Sequence, residues 1–211
     1  LQPQVNRDGM TLGAEALLRW NHPKLGLLAP DKFMELAERR GIASDINTYV
    51  LDNATRLLGA WQLEPETSGL RLAVNIGAEQ LFDPELPRSL RENLKRYAAP
   101  PQLLTLEFTE ESIAKNRDEA MKAMARLKTT GVRLSLDDFG TGYSSLAQLK
   151  DMPLSEIKID GRFIRHMHDR PKDAALIKTM LSMAETLGLD AVAEHVETAA
   201  QEKFLLKHGC L

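Results

Sequence analysis

The sequence predicts an α/β protein, a TIM-like barrel with its first strand antiparallel. Three observations lead there. Short apolar runs alternate with amphipathic segments along most of the chain, the first two runs are joined by a tight turn, and five of the runs are apolar on one side only. Repeated strand–helix alternation points to a parallel sheet covered by helices.

The strands are expected at "LQPQV" (1–5), "LGAEALLRW" (12–20), "RLAVNI" (71–76), "LLTLEFTE" (103–110), "VRLSLDD" (132–138), "EIKID" (156–160) and "DAVAEHV" (190–196). Between the first two, "NRDGMT" carries Asp8-Gly9, a pair suited to a hairpin turn, so the second strand returns antiparallel to the first. Two helices, near 30–40 and 44–61, precede the third strand. Later helices have readable ends. Asp118 caps "EAMKAMARLKTT" and Gly131 closes it; Pro171 opens "PKDAALIKTMLSMAETL" and Gly188 stops it; Thr198 caps "AAQEKFLLKH" ahead of Gly209. Met residues of 121–124 and 180–183 fall at helical spacing and read as core.

Alternation sorts the strand faces. Leu72, Val74 and Ile76 oppose Arg71, Ala73 and Asn75; Leu104, Leu106 and Phe108 oppose Thr105, Glu107 and Thr109. Val132, Leu134 and Leu136 oppose Arg133, Ser135 and Asp137; Ile157 and Ile159 oppose Lys158 and Asp160. In the second strand, Ala14, Ala16, Leu18 and Trp20 oppose Gly13, Glu15, Leu17 and Arg19. A doubly wound sheet would be apolar on both faces. A barrel lined by the small and charged faces fits better, and its interior charges would gather at the C-terminal mouth, where barrel enzymes keep their sites. The alternative is a sheet with one wet face.

The bulk composition narrows the function. At 211 residues, with 43% hydrophobic and 27% charged, the chain is ordinary globular material for a single large domain. Its net charge of −3, with no basic stripe, argues against a DNA or RNA polymer as partner but admits a small phosphate ligand. One cysteine, Cys210, excludes a disulfide framework and fits a reduced, cytoplasmic setting. No apolar run is long enough to insert in a membrane. The abrupt ends at Leu1 and Leu211 lead us to expect a fragment of a larger multidomain protein.

On the barrel reading, Glu15, Asn75, Glu107 and Asp137 converge from four strands, with Asp138 next in sequence. Alternation puts the carboxylates of Asp137 and Asp138 on opposite faces, an arrangement no strand needs for its own stability. Two carboxylates about 4 Å apart repel by roughly 4 kcal/mol at an effective dielectric near 20, so several in one mouth require a cation. An all-oxygen ligand set selects Mg2+ or Mn2+ over zinc or copper, and adjacent aspartates can serve two ions, as in phosphoryl-transfer sites. Arg19 and Lys158 share the inward faces and could meet phosphate oxygens or orient a water. His22, His166, His168 and His208 lie in charged loop or helix-end settings and are expected to take no part in the chemistry. "DFG" (138–140) lacks the glycine-rich loop and H-R-D segment of a kinase. An enolase-type barrel, with Lys158 as base, would need a carboxylate substrate that nothing beyond Arg19 and Lys158 suggests.

"EALLRW" (15–20), together with "LQPQV", "EALLRWNHP", "LAVNI", "LEFTE", "LDDFGTGYSSL", "IKID" and "VAEHVET" in that order, resembles the EAL domain family, the cyclic di-GMP phosphodiesterases of bacterial signalling, nearly end to end. The resemblance implies a (β/α)8-type barrel with a reversed first strand and two-metal hydrolysis of cyclic di-GMP to linear pGpG. It implies that Glu15, Asn75, Glu107 and Asp137 bind one Mg2+ or Mn2+ ion, while Asp137 and Asp138 hold a second. Lys158 would contact the attacking water or the phosphate, and Glu194 would be a ligand or general base. Face alternation alone sets Glu194 with Val192 and Val196, away from this group. Gln2, Leu17, Arg19 and Asp160 would contact the dinucleotide. Glu110, Gly140, Gly142 and Glu197 would couple the site to a homodimer through the loop "FGTGYSSL", with Ser144 or Ser145 capping the helix behind it. Sensory or GGDEF-type domains are expected in the parent chain, which could be tethered to a membrane.

Three departures stand out. The family usually has glycine where His195 stands, Asn75 is followed by Ile76-Gly77 rather than Ile-Ser, and the family's last strand is not reached. A catalytically inactive cyclic di-GMP receptor is the alternative reading; such members usually break the first motif or the aspartate pair, which are intact here.

Overall fold

The computed structural model describes residues 1–142 and 146–210; Ser144 and Ser145, the expected caps, lie outside the described residues. In chain order the strands are β1 (Gln2–Val5), β2 (Thr11–Ala16), β3 (Trp20–His22), β4 (Gly26–Leu28), β5 (Arg71–Asn75), β6 (Leu104–Thr109), β7 (Arg133–Phe139), β8 (Glu156–Ile159) and β9 (Asp190–Ala193). The helices are α1 (Met34–Arg39), α2 (Ala43–Trp61), α3 (Ala78–Phe82), α4 (Leu86–Arg96), α5 (Glu110–Ala114), α6 (Arg117–Lys128), α7 (Leu146–Leu149), α8 (Gly161–His166), α9 (Pro171–Leu187) and α10 (Ala199–Lys207).

Seven strands form one sheet in the order β1-β2-β5-β6-β7-β8-β9, antiparallel in its first pair and parallel in every other. The hairpin between β1 and β2 forms as expected: Gly9 takes φ +73°, and the Asn6 side-chain oxygen accepts the N–H groups of Asp8 and Met10, each at 3.0 Å. Lys158 on β8 reaches Glu15 on β2 at 3.1 Å although β5, β6 and β7 lie between them. That contact is possible only because the sheet curls towards a barrel. Among the described residues, β1 and β9 each pair on one side only.

The apolar faces lie where alternation put them. Leu72, Val74, Leu104, Leu106, Phe108, Leu134, Leu136, Ile157 and Ile159 are fully buried, packed with Leu58 of α2, Leu90 of α4, Met124 of α6 and Ile177 of α9. Each such side chain contributes about 1.5–3 kcal/mol by leaving water. Pro171 opens α9 and Gly188 ends it in the left-handed conformation at φ +68°. Thr198 and Gln201 form a reciprocal cap on α10.

Several boundaries differ from expectation. β2 stops at Ala16, and a separate β3–β4 hairpin follows, its turn held by His22 Nδ1, which accepts from the N–H groups of Lys24 and Leu25. β9 stops at Ala193, before Glu194. Asp118 is not a cap: α6 starts one residue earlier, so this carboxylate sits in the first helical turn, where the helix dipole favours it.

At the N-terminal ends of the strands, the floor of the curled sheet holds a charged layer. Arg133 Nη2 lies 2.6 Å and Arg71 Nη1 3.0 Å from Asp190 Oδ2, and Glu156 is 4.0 Å from Arg133. Burial pushes the Glu156 carboxyl above its usual pKa.

Candidate active site

Lys158 stands at the centre of the opposite end. Its side chain is 1% exposed, and its Nζ contacts four carboxylates: Glu194 Oε1 at 2.9 Å, Glu107 Oε2 at 3.0 Å, Glu15 Oε2 at 3.1 Å and Asp137 Oδ1 at 3.3 Å. Asn75 donates through Nδ2 to Glu15 Oε1 at 2.7 Å. The residues singled out from β2, β5, β6, β7 and β8 therefore meet in one cluster.

Four carboxylates against one ammonium leave three surplus negative charges, and Asp138 beside them makes four. Without cations, protons take up part of that surplus. Burial, reinforced by Glu15 and Asp137 and opposed by Lys158, pushes the Glu107 carboxyl up to about 9. Asp138 is pushed up to about 6, first by burial and then by Asp137, Asp160 and Glu194. Glu194 is raised too, chiefly by burial. Burial works to lower the pKa of Lys158, but Glu107, Asp137, Glu15 and Glu194 outweigh it and hold the ammonium charged.

The cluster fits hard cations. Glu107 Oε1 is buried without a hydrogen-bond partner, and oxygens of Asp137, Asp138 and Glu194 lie within 4.8 Å of one another. Every carboxylate and amide that lines it offers oxygen, the donor that Mg2+, Mn2+ and Ca2+ prefer.

Strict alternation cannot bring Asp137 and Asp138 together, and the structure breaks it. The β7–β8 register shifts between Leu136 and Phe139, and Asp138 adopts φ +55°. Its N–H donates to Asp137 Oδ1 at 2.9 Å, and both carboxylates now turn towards Glu194. The expectation of one carboxylate on each face is corrected by this bulge. Glu194 is corrected in the same way. It follows the last residue of β9, and the chain turns at His195 with φ +54°, so its side chain is free of the strand's parity.

The remaining residues lie around this centre. Gln2 is paired across the hairpin with Glu15 and is exposed; Leu17 is half-buried; Arg19, past the end of β2, is exposed and donates to the Leu18 carbonyl at 2.7 Å. Asp160 caps α8, accepting from Arg162 N–H at 2.6 Å and from its guanidinium at 2.9 and 3.1 Å. Buried Glu110 uses Oε2 to accept from Thr141 N–H at 3.0 Å, Thr141 Oγ1 at 3.1 Å and Gly142 N–H at 3.2 Å. Gly140 and Gly142 take φ +99° and +118°, which the turn of this loop requires. Glu197 is exposed, its N–H donating to Gln201 at 2.8 Å.

One part was not anticipated. A cavity of about 290 Å3 next to Asp138 is lined by Thr109, Glu111, Thr141 and Arg162. Thr109 extends the inward row of Thr105 and Glu107, and Arg162 stands two residues past Asp160, a spacing at which a cap can also pair with a side chain. Those were the available signals.

Comparisons with known proteins agree with this frame. The model of the EAL domain family matches residues 1–211. The bifunctional diguanylate cyclase/cyclic di-GMP phosphodiesterase MucR of Pseudomonas aeruginosa is 42% identical over 210 residues, covering 99% of this chain and 30% of that protein. The cyclic di-GMP phosphodiesterase NbdA of the same organism is 40% identical over 203 residues, covering 96% of this chain and 26% of that protein. This chain thus spans less than a third of either relative. The solved structure of the PaMucR phosphodiesterase in its c-di-GMP complex matches with a TM-score of 0.93 at 42% identity, covering 99% of this chain and 85% of that one. Sequence, strand order and the reversed β1 lead to one placement: this protein belongs to the EAL domain family.

Proposed function

We propose that this domain hydrolyses one phosphodiester of cyclic di-GMP to linear 5'-pGpG, using two Mg2+ or Mn2+ ions. The observation that carries this reading is the surplus of carboxylates around Lys158, with a buried Glu107 oxygen left unpartnered. The activities for which the relatives MucR and NbdA are named support the substrate.

Glu15, Asn75, Glu107 and Asp137 would hold one ion, and Asp137, Asp138 and Glu194 the second. Asn75 donates its amide nitrogen to Glu15, which leaves its carbonyl oxygen as the ligand. When bound, such cations stabilise the charge that develops on the attacking and departing oxygens of an in-line displacement. Lys158, kept charged by its neighbours, donates to the attacking water or to a phosphate oxygen and fixes its direction. Glu194, one of the four carboxylates on Lys158, would accept the proton that the water gives up. Gln2, Leu17 and Arg19 face the dinucleotide from the rim, the Arg19 guanidinium being suited to phosphate.

No helix among the described residues is long and apolar enough to cross a membrane, which is compatible with a site that meets its substrate in the cytoplasm. In the same reading the domain is one unit of a longer signalling protein, and the loop braced by Glu110 reports cation binding to a homodimer. Release of pGpG with Mg2+ or Mn2+, and its loss in Asp137→Asn with the fold retained, tests the central claim. Tight binding of cyclic di-GMP with no product would identify a receptor instead.

A further inference from the structure

His195 carries two unusual features at once. It holds φ +54° without being glycine, and its ring lies flush against Gly161. A methyl group added at Gly161 would sit 2.6 Å from His195 Cγ and 2.9 Å from its Cβ, closer still to Nδ1, so no other residue fits there while the ring stays. The neighbours of the two contacting residues are what give the contact meaning. Glu194 precedes His195 and reaches Lys158 at 2.9 Å; Asp160 precedes Gly161, caps α8 and lies beside Asp138, near enough for its charge to act on that carboxyl. The His195–Gly161 contact thus joins the segment that carries Glu194 to the segment that lies against Asp138. Backbone strain kept at an exposed position, where a glycine would relieve it, points to a functional demand.

We propose that His195 is a positioning residue: its imidazole, wedged on Gly161, sets the distance between Glu194 and the Asp137–Asp138 pair and so tunes cation affinity. The inference rests on the two-cation reading of the site and adds to it a residue that touches neither cation nor substrate.

Mn2+ binding to the whole domain, measured by calorimetry alongside thermal melting, tests it. His195→Gly should weaken Mn2+ binding about tenfold, the lower end for residues that orient ligands, while the melting temperature holds or rises because glycine accepts the left-handed backbone. A merely structural histidine would lower the melting temperature and leave affinity alone. Gly161→Ala should weaken binding by a similar factor, since the methyl expels the ring, and should have no further effect in the His195→Gly background. Equal affinity of His195→Gly and the unaltered protein would overturn the wedge, as would losses that simply multiply in the double variant. Failure of the unaltered protein to bind Mn2+ would instead overturn the two-cation reading itself, and the wedge with it.

Discussion

The two ends of the curled sheet both hold clustered charge, but they balance it differently. On the floor, Arg71 and Arg133 face Asp190 and Glu156, two cations against two anions. At the mouth, among the described residues, Lys158 alone faces Glu15, Glu107, Asp137 and Glu194. Both ends leave polar atoms without partners among the described residues: Glu156 Oε1 and Arg133 Nε at the floor, Glu107 Oε1 at the mouth. Charge balance therefore separates them, and complete hydrogen bonding does not. A balanced layer ties strands across the curl; an unbalanced one costs stability until something positive arrives.

Removing Lys158 should break the contrast most severely. Lys158→Met leaves four carboxylates without the buried cation that contacts them all, and loss of one partner from a buried ion cluster costs about 3–5 kcal/mol. Urea denaturation of the metal-free protein should show that loss, and pGpG release should vanish with it. Adding cations should act in the opposite direction. Mg2+ at a hundred times its dissociation constant should stabilise the protein by about 2.7 kcal/mol for each site it fills, and chelation should reverse the gain. Thermal melts with and without Mg2+ measure it, and Arg133→Met should show the same gain as the unaltered protein.

Arg133→Met itself should cost about 2 kcal/mol, below the fully buried figure because its side chain is 22% exposed and Asp190 53% exposed. Its turnover number for cyclic di-GMP should not change, and a matching loss of turnover would erase the distinction between floor and mouth. The smallest effect is the pH dependence. Because the Asp138 carboxyl is raised from 3.8 to about 6 in the fold, its protonated form stabilises the cation-free protein below pH 4, and that contribution is lost as pH rises through 6. Cations need the ionised forms of Asp138 and Glu107, so Mn2+ affinity should climb through this window and on towards pH 9. Calorimetric titrations at pH 5 and 7 check the sign.

Most of the mouth was legible because strand parity is a local property. Glu15, Asn75, Glu107, Asp137 and Lys158 each follow from counting by twos along a regular strand, and all five meet. Parity fails where the backbone leaves the strand. The β7 bulge moved Asp138, the turn at His195 moved Glu194, and Arg19 lies past the early end of β2. The floor escaped notice for another reason. Alternation says which side of a strand Arg71 or Arg133 occupies, but not which level of a neighbouring strand it meets, and that register is set by the helices between strands. The β3–β4 hairpin is short and its exposed Leu25 and Leu27 break any polar–apolar pattern, so nothing in its composition announces it.

The left-handed backbone at Asp138 limits which replacements can be interpreted there. Asparagine and glycine enter that region readily, whereas alanine and branched residues resist it. Trimming position 138 to alanine would mix a conformational penalty with the loss of a carboxylate. Asparagine removes the charge and leaves the loop undisturbed. The same tolerance has an evolutionary side: a single base change in an aspartate codon gives either asparagine or glycine, so drift from a turning-over enzyme to a silent nucleotide sensor meets no folding barrier at this residue.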